Sequence, residues 1–156
     1  MNHKRKIMNL ILFVHQDSSK KGVTFKKIID ENFKEIEIQT LQAFNAFKAR
    51  LKQVSNYNKD IFVLFADSKS RLNELTSLID LIEDKRIILI LPDESGATIL
   101  KAHQFFPRYF TYVNDTYKDL CDVISKMINP KNIKITNLKR RVIKWEKTQQ
   151  PSKGNI

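Results

Sequence analysis

Four aspartates stand where a chain of this pattern would keep its chemistry. Asp17, Asp67, Asp93 and Asp115 each fall just past a short apolar run, and His15 and Gln16 precede the first of them. Carboxylates gathered at one point would hold a hard cation such as Mg²⁺ through oxygen. Aspartate at such positions more often caps a helix or shapes a turn, and that local role is the expectation here. Residues 17–24, Asp-Ser-Ser-Lys-Lys-Gly-Val-Thr, place hydroxyls and two lysines ahead of a helix N-terminus, a setting that attracts phosphate. They form neither a Walker loop nor a G-x-G-x-x-G fingerprint, and Gly22 alone would not let the backbone wrap a phosphate, so a polar loop is expected. His3, His15 and His103 are too far apart in sequence for a metal spacing. There is no G-x-S-x-G elbow and no Cys-His pair in a supporting motif. An enzyme is not expected, nor is a cofactor.

The elements that must position these residues are legible from periodicity. Apolar runs at 8–14, 36–40, 61–66, 87–91 and 110–113 predict five strands. Between them Phe25, Ile28, Ile29 and Phe33 recur at helical spacing, as do Phe44, Phe47, Leu51 and Val54, and then Leu72, Leu75, Leu78, Ile79 and Ile82. A fourth helix follows through Ile99, Ala102, His103 and Phe106, and a fifth through Leu120, Val123, Ile124, Met127 and Ile128, opened by Thr116 and Asp119 as a capping box. The runs at 61–66 and 87–91 are apolar on both faces, as a parallel sheet covered by helices requires. The run at 36–40 alternates apolar with polar and reads as an edge strand. Five βα units with right-handed crossovers predict a three-layer, doubly wound α/β sheet in the order 2-1-3-4-5, with any ligand crevice beyond strands one and three.

Length and composition fit one folded domain: 156 residues, 42% hydrophobic and 29% charged, allow a continuous core and exclude a disordered chain. The net charge of +11 is uneven, with +7 in residues 131–156 and +3 in residues 1–6, so the body is almost neutral. A domain over 1–130 and a basic tail over 131–156 are expected. The single cysteine, Cys121, cannot form an intramolecular disulfide, and a cytoplasmic location is expected. Lys4, Arg5 and Lys6 precede an apolar run, but His15 and Gln16 follow it in place of a cleavage site, so it is read as a strand. No run approaches the length of a transmembrane helix.

Residues 7–128 resemble the receiver domain of bacterial response regulators in size, in element order and in the closing pattern Tyr112-Val113-Asn114-Asp115-Thr116-Tyr117 ahead of an apolar helix. The resemblance implies a flavodoxin-like fold and a role in two-component signal transduction. It places the family's Mg²⁺-holding acids at His15 and Gln16, its phosphoacceptor at Phe65, its fourth-strand hydroxyl at Leu91, its lysine at Asp115 and its switch aromatic at Tyr112. Only the last of these keeps the family's residue type. Moving a phosphoryl group onto a carboxylate needs a cation and a positive side chain to neutralise charge on the transferred oxygens. A pocket of Asp17, Asp67, Asp93 and Asp115 without that lysine would repel a phosphodonor unless Mg²⁺ compensated and Asp67 served as a displaced acceptor. The expectation is a pseudo-receiver, a non-enzymatic signalling or scaffolding domain that has lost the switch and acts through a protein partner or a homodimer.

Two segments are candidates for those contacts. In Phe105-Phe106-Pro107-Arg108-Tyr109-Phe110, Phe106 and Phe110 are expected in the core, leaving Phe105, Arg108 and Tyr109 as interface candidates on the face between the fourth and fifth helices. In the tail, Ile135, Leu138, Val142 and Trp145 fall on one helical face, with Lys139, Arg140, Arg141 and Lys144 filling the rest. Such a helix packs on its own domain or a second copy, or meets a partner's groove, an anionic membrane or nucleic acid. Nucleic acid is not expected as a partner, because neither a companion helix nor interleaved aromatics accompany Trp145.

Overall fold

The computed structural model describes residues 10–53 and 59–129. The chain divides into two compact units, 1–121 and 122–156, and of the second only residues 122–129 are described. The tail stripe, with Lys139, Arg140, Arg141, Lys144 and Trp145, lies outside the described residues, as do Met8 and Val54.

Strands β1 (Leu10–Val14), β2 (Ile38–Leu41), β3 (Ile61–Phe65), β4 (Arg86–Leu91) and β5 (Tyr109–Tyr112) pair in parallel in the order β2-β1-β3-β4-β5, the doubly wound arrangement the sequence predicts. Helices α1 (Lys20–Asn32), α2 (Phe44–Leu51), α3 (Lys69–Thr76), α4 (Ile79–Ile82) and α5 (Gly96–His103) connect them, and α6 (Lys118–Ile128) runs from the first unit into the second. Every residue of β1 and β3 is buried, so each central strand feeds both faces of the sheet. On one face Phe13, Phe62, Leu64 and Leu89 join Phe47 of α2, Leu72 of α3 and Ala102 of α5 in one cluster. On the other, Phe65 stacks on Phe25 of α1 with ring centroids 5.2 Å apart. Full burial of such a side chain contributes about 1.5–3 kcal/mol relative to exposure. At the rim, β2 keeps Gln39 and Thr40 exposed.

Four local expectations are corrected. First, α1 begins at Lys20, inside the segment expected to be a loop, because Ser19 caps it by accepting from the Lys21 N–H at 3.2 Å. Gly22 is thereby buried in the first turn, where a Cβ would come within 2.7 Å of Ser18 Cβ and 3.0 Å of Val14 Cγ1. Its place is explained by the close approach of helix to strand.

Second, the predicted third helix is two pieces. The hydroxyls of Thr76 and Ser77 bond to the carbonyls of Asn73 and Glu74 and end α3, and Leu78 leads into α4. Third, the capping box is not made: Thr116 Oγ accepts from the Lys118 N–H at 3.4 Å, its own N–H goes to Asp115, and α6 starts only after Tyr117, which adopts φ 69°.

Fourth, the aromatic pair at the end of α5 is inverted. Phe105 is 2% exposed and Phe106 79% exposed. The buried stripe of α5, Thr98 and Ala102, is continued by Phe105 just past the helix end, and Phe106 then turns outward with φ 49°. Pro107 disfavours helical backbone at Phe106, so the helical stripe cannot run through it. Phe105 therefore completes the core face, and Phe110 on the edge strand is only half-buried.

Candidate functional site

The C-terminal ends of the strands meet where a ligand crevice is expected, and Asp67, Asp93 and Asp115 are each bound within their own neighbourhood, while the buried Ser18 hydroxyl has no hydrogen-bond partner among the described residues. His15 follows β1 with its ring edge-on to Phe13 at 6.1 Å. Its Nδ1 accepts from the Asp17 N–H at 3.0 Å. The Asp17 carboxylate lies 3.7 Å from the same nitrogen and is largely exposed. Gln16 is exposed and ties its backbone N–H to the Gln42 carbonyl at 3.0 Å.

Asp67, half-buried one residue beyond Ala66, accepts from the Ser19 N–H at 3.4 Å. Asp93 accepts from the Ser95 N–H at 2.9 Å, and Ser95 in turn caps α5 through the Thr98 N–H at 3.3 Å. The Ser95 N–H, followed by the Thr98 and Ser95 hydroxyls, holds the Asp93 carboxyl below its ordinary pKa, with Lys69 Nζ 3.9 Å away. Asp115 accepts from the Thr116 N–H at 2.7 Å and from the hydroxyl of buried Thr111. Lys21 reaches across from α1 to the side-chain oxygen of Asn114. Among the described residues no three His, Cys, Asp or Glu side chains lie close enough together to share a metal ion.

Beneath these loops the space is occupied by rings. Phe65, the last residue of β3, is in register with Val14 on β1 and Ile90 on β4 and is fully buried. It stacks on Phe25, and Phe25 meets Tyr117 edge-on at 5.1 Å. The Tyr117 hydroxyl donates to the Val113 carbonyl at 2.9 Å, and burial, with Asp115 nearby, pushes its pKa up to about 12. Nothing in the periodicity of the sequence marks Tyr117 as this third ring, because its placement depends on the left-handed backbone at that residue. Tyr112 lies on the other face, half-buried and 6.2 Å from Phe110; burial and Glu94 raise its pKa.

A second locale lies along the α5–β5 edge. His103, Phe106, Pro107, Arg108, Tyr109 and Phe110 line an open cleft of about 580 Å³. His103 meets Phe110 edge-on at 6.1 Å. Arg108 is exposed and Tyr109 half-buried, so two of the three interface candidates are accessible. Phe105 is not, and Phe106 takes its place. The proline after Phe106 is the signal that would have found it: the helical stripe must be counted to the last residue before a pre-proline position.

No protein-family model matches the chain, and no curated protein matches it. Among solved structures the fold is similar to that of a protein described as pilus assembly-related from Burkholderia pseudomallei. The TM-score is 0.57 and the identity 14%, over 78% of this chain and 89% of that one. The likeness is one of fold, and the five-stranded parallel sheet fits that of a receiver.

Proposed function

We propose that this chain is a receiver-fold signalling or scaffolding domain without a phosphorylation switch, working through protein contacts on its α5–β5 edge. The observation that carries the reading is Phe65. It stands where the receiver resemblance puts the phosphoacceptor, it is fully buried, and it stacks on Phe25. A phenyl ring has no oxygen to accept a phosphoryl group, and its stack leaves the position apolar. Three of the four acids around it support the same reading, because Asp67, Asp93 and Asp115 already accept from backbone N–H groups of nearby loops. With Phe106 exposed beside Arg108 and half-buried Tyr109 on the α5–β5 edge, the composition there is that of a protein contact.

Backbone amide NMR of the full chain, with Mg²⁺ and then beryllofluoride added, tests the loss of the switch. Undisturbed amides at Asp17, Asp67 and Asp115 are the expected result. Saturable shifts centred on Asp67 would overturn the reading and make the protein a metal-dependent phosphoacceptor.

A further inference from the structure

Where β4 and β5 begin, the sheet carries more positive charge than its own acids neutralise. Arg86 opens β4, and the Arg108 N–H donates to the Ile87 carbonyl at 2.8 Å, so the two arginines stand at the starts of neighbouring strands. Arg86 donates through Nη2 to the Lys59 carbonyl, while its Nε is shielded from solvent and has no hydrogen-bond partner. The carboxylate that favours its charge, Asp60, is already paired with Arg50 at 2.9 Å. Burial first, and then Arg108, press the Arg86 guanidinium below the ordinary arginine range. Arg108 itself makes no ion pair among the described residues. Beside this excess charge Phe106 holds its ring out, and the cleft opens between them.

We infer that the α5–β5 cleft docks an acidic segment of a partner protein, with a carboxylate on Arg108, the half-buried Arg86 charge adding to the field there, and an adjacent apolar side chain covering Phe106. The inference rests on the protein-contact reading above and names the partner's chemistry. Charge complementarity selects this occupant. A two-fold contact between copies would set the same exposed arginine near its own copy, a repulsion that an acidic partner avoids. Asp115 and Asp119 act on Tyr109 and raise its hydroxyl pKa after burial does, so the partner's carboxylates belong at the arginine end of the cleft.

The test is backbone amide NMR of the full chain with two synthetic peptides: glutamates flanking a Leu-Phe pair, and the same peptide with every glutamate replaced by glutamine. The acidic peptide is expected to shift residues 103–110 and to weaken as salt rises. Arg108→Glu should cost at least about tenfold in affinity, and Phe106→Asn a similar factor. Asparagine tolerates the left-handed backbone of Phe106, so that variant keeps its fold, verified by unmoved β1 and β3 amides. Shifts confined to residues 131–147 would overturn the inference, as would concentration-dependent shifts at 103–110 without peptide, which would seat a second copy there. Equal binding of both peptides at 103–110 would remove the acidic partner and leave the contact face standing. No shift at 103–110 with either peptide would remove both.

Discussion

The strand-end crevice and the α5–β5 edge are built from similar residues and treated in opposite ways. In the crevice, aromatic rings are buried and stacked, and every acid but the exposed Asp17 is spent on N–H groups and hydroxyls within a few residues or on the next loop. At the edge, an aromatic ring faces water and an arginine lacks an acid. A binding site must keep bonding capacity and apolar surface that the fold itself does not use. By that measure the edge is the better prepared of the two, although the crevice is where a sheet of this order would place a ligand.

The comparison can be broken hardest at Phe65. Replacing it by aspartate, the residue type a receiver would hold there, should cost at least about 3 kcal/mol, because a carboxylate would enter the stack of Phe25 and Tyr117 without a partner. Urea denaturation reads this directly. A Phe65→Asp protein as stable as the parent would mean that the crevice is adaptable and still close to a working pocket.

Tyr117→Phe is expected to have a smaller effect, about 1 kcal/mol at neutral pH, from loss of the hydrogen bond to Val113. It also has a pH signature. The Tyr117 hydroxyl titrates near 10 when unfolded and at about 12 when folded, so the native state holds the extra proton in between. Its contribution is complete below pH 10 and falls as pH rises toward 12. Denaturation midpoints across that window should decline more steeply in the parent than in Tyr117→Phe. Identical slopes would place the hydroxyl in contact with solvent.

At the edge the expected effect on stability is smallest. Phe106→Asn should stay within about 0.5 kcal/mol, since the ring packs little and asparagine suits φ 49°. A loss of more than that would show Phe106 to be structural and blunt the contrast between the two regions.

Much of this was legible in the residues alone. The runs at 61–66 and 87–91 announce central parallel strands because apolar side chains on both faces satisfy no other position in a sheet. The polar alternation of the second run marks the rim for the same reason. The local role of the aspartates was also readable, since Asp93 lies two residues before a serine that caps and Asp115 precedes a threonine. Gly22 was misjudged, because a glycine between lysines and a threonine looks like a loop until Val14 is known to lie 3.0 Å from its missing Cβ.

Periodicity and charge are local properties, so the sequence by itself determined the five βα units, their order, the edge at β2 and the near-neutral body with basic ends. Whether Phe105 or Phe106 enters the core turned on one backbone angle ahead of a proline. Whether Arg86 and Arg108 stand together turned on the register of β4 against β5. Those are distances between parts of the chain far apart in sequence, or the direction of the chain at a single residue, and only the tertiary structure decided them.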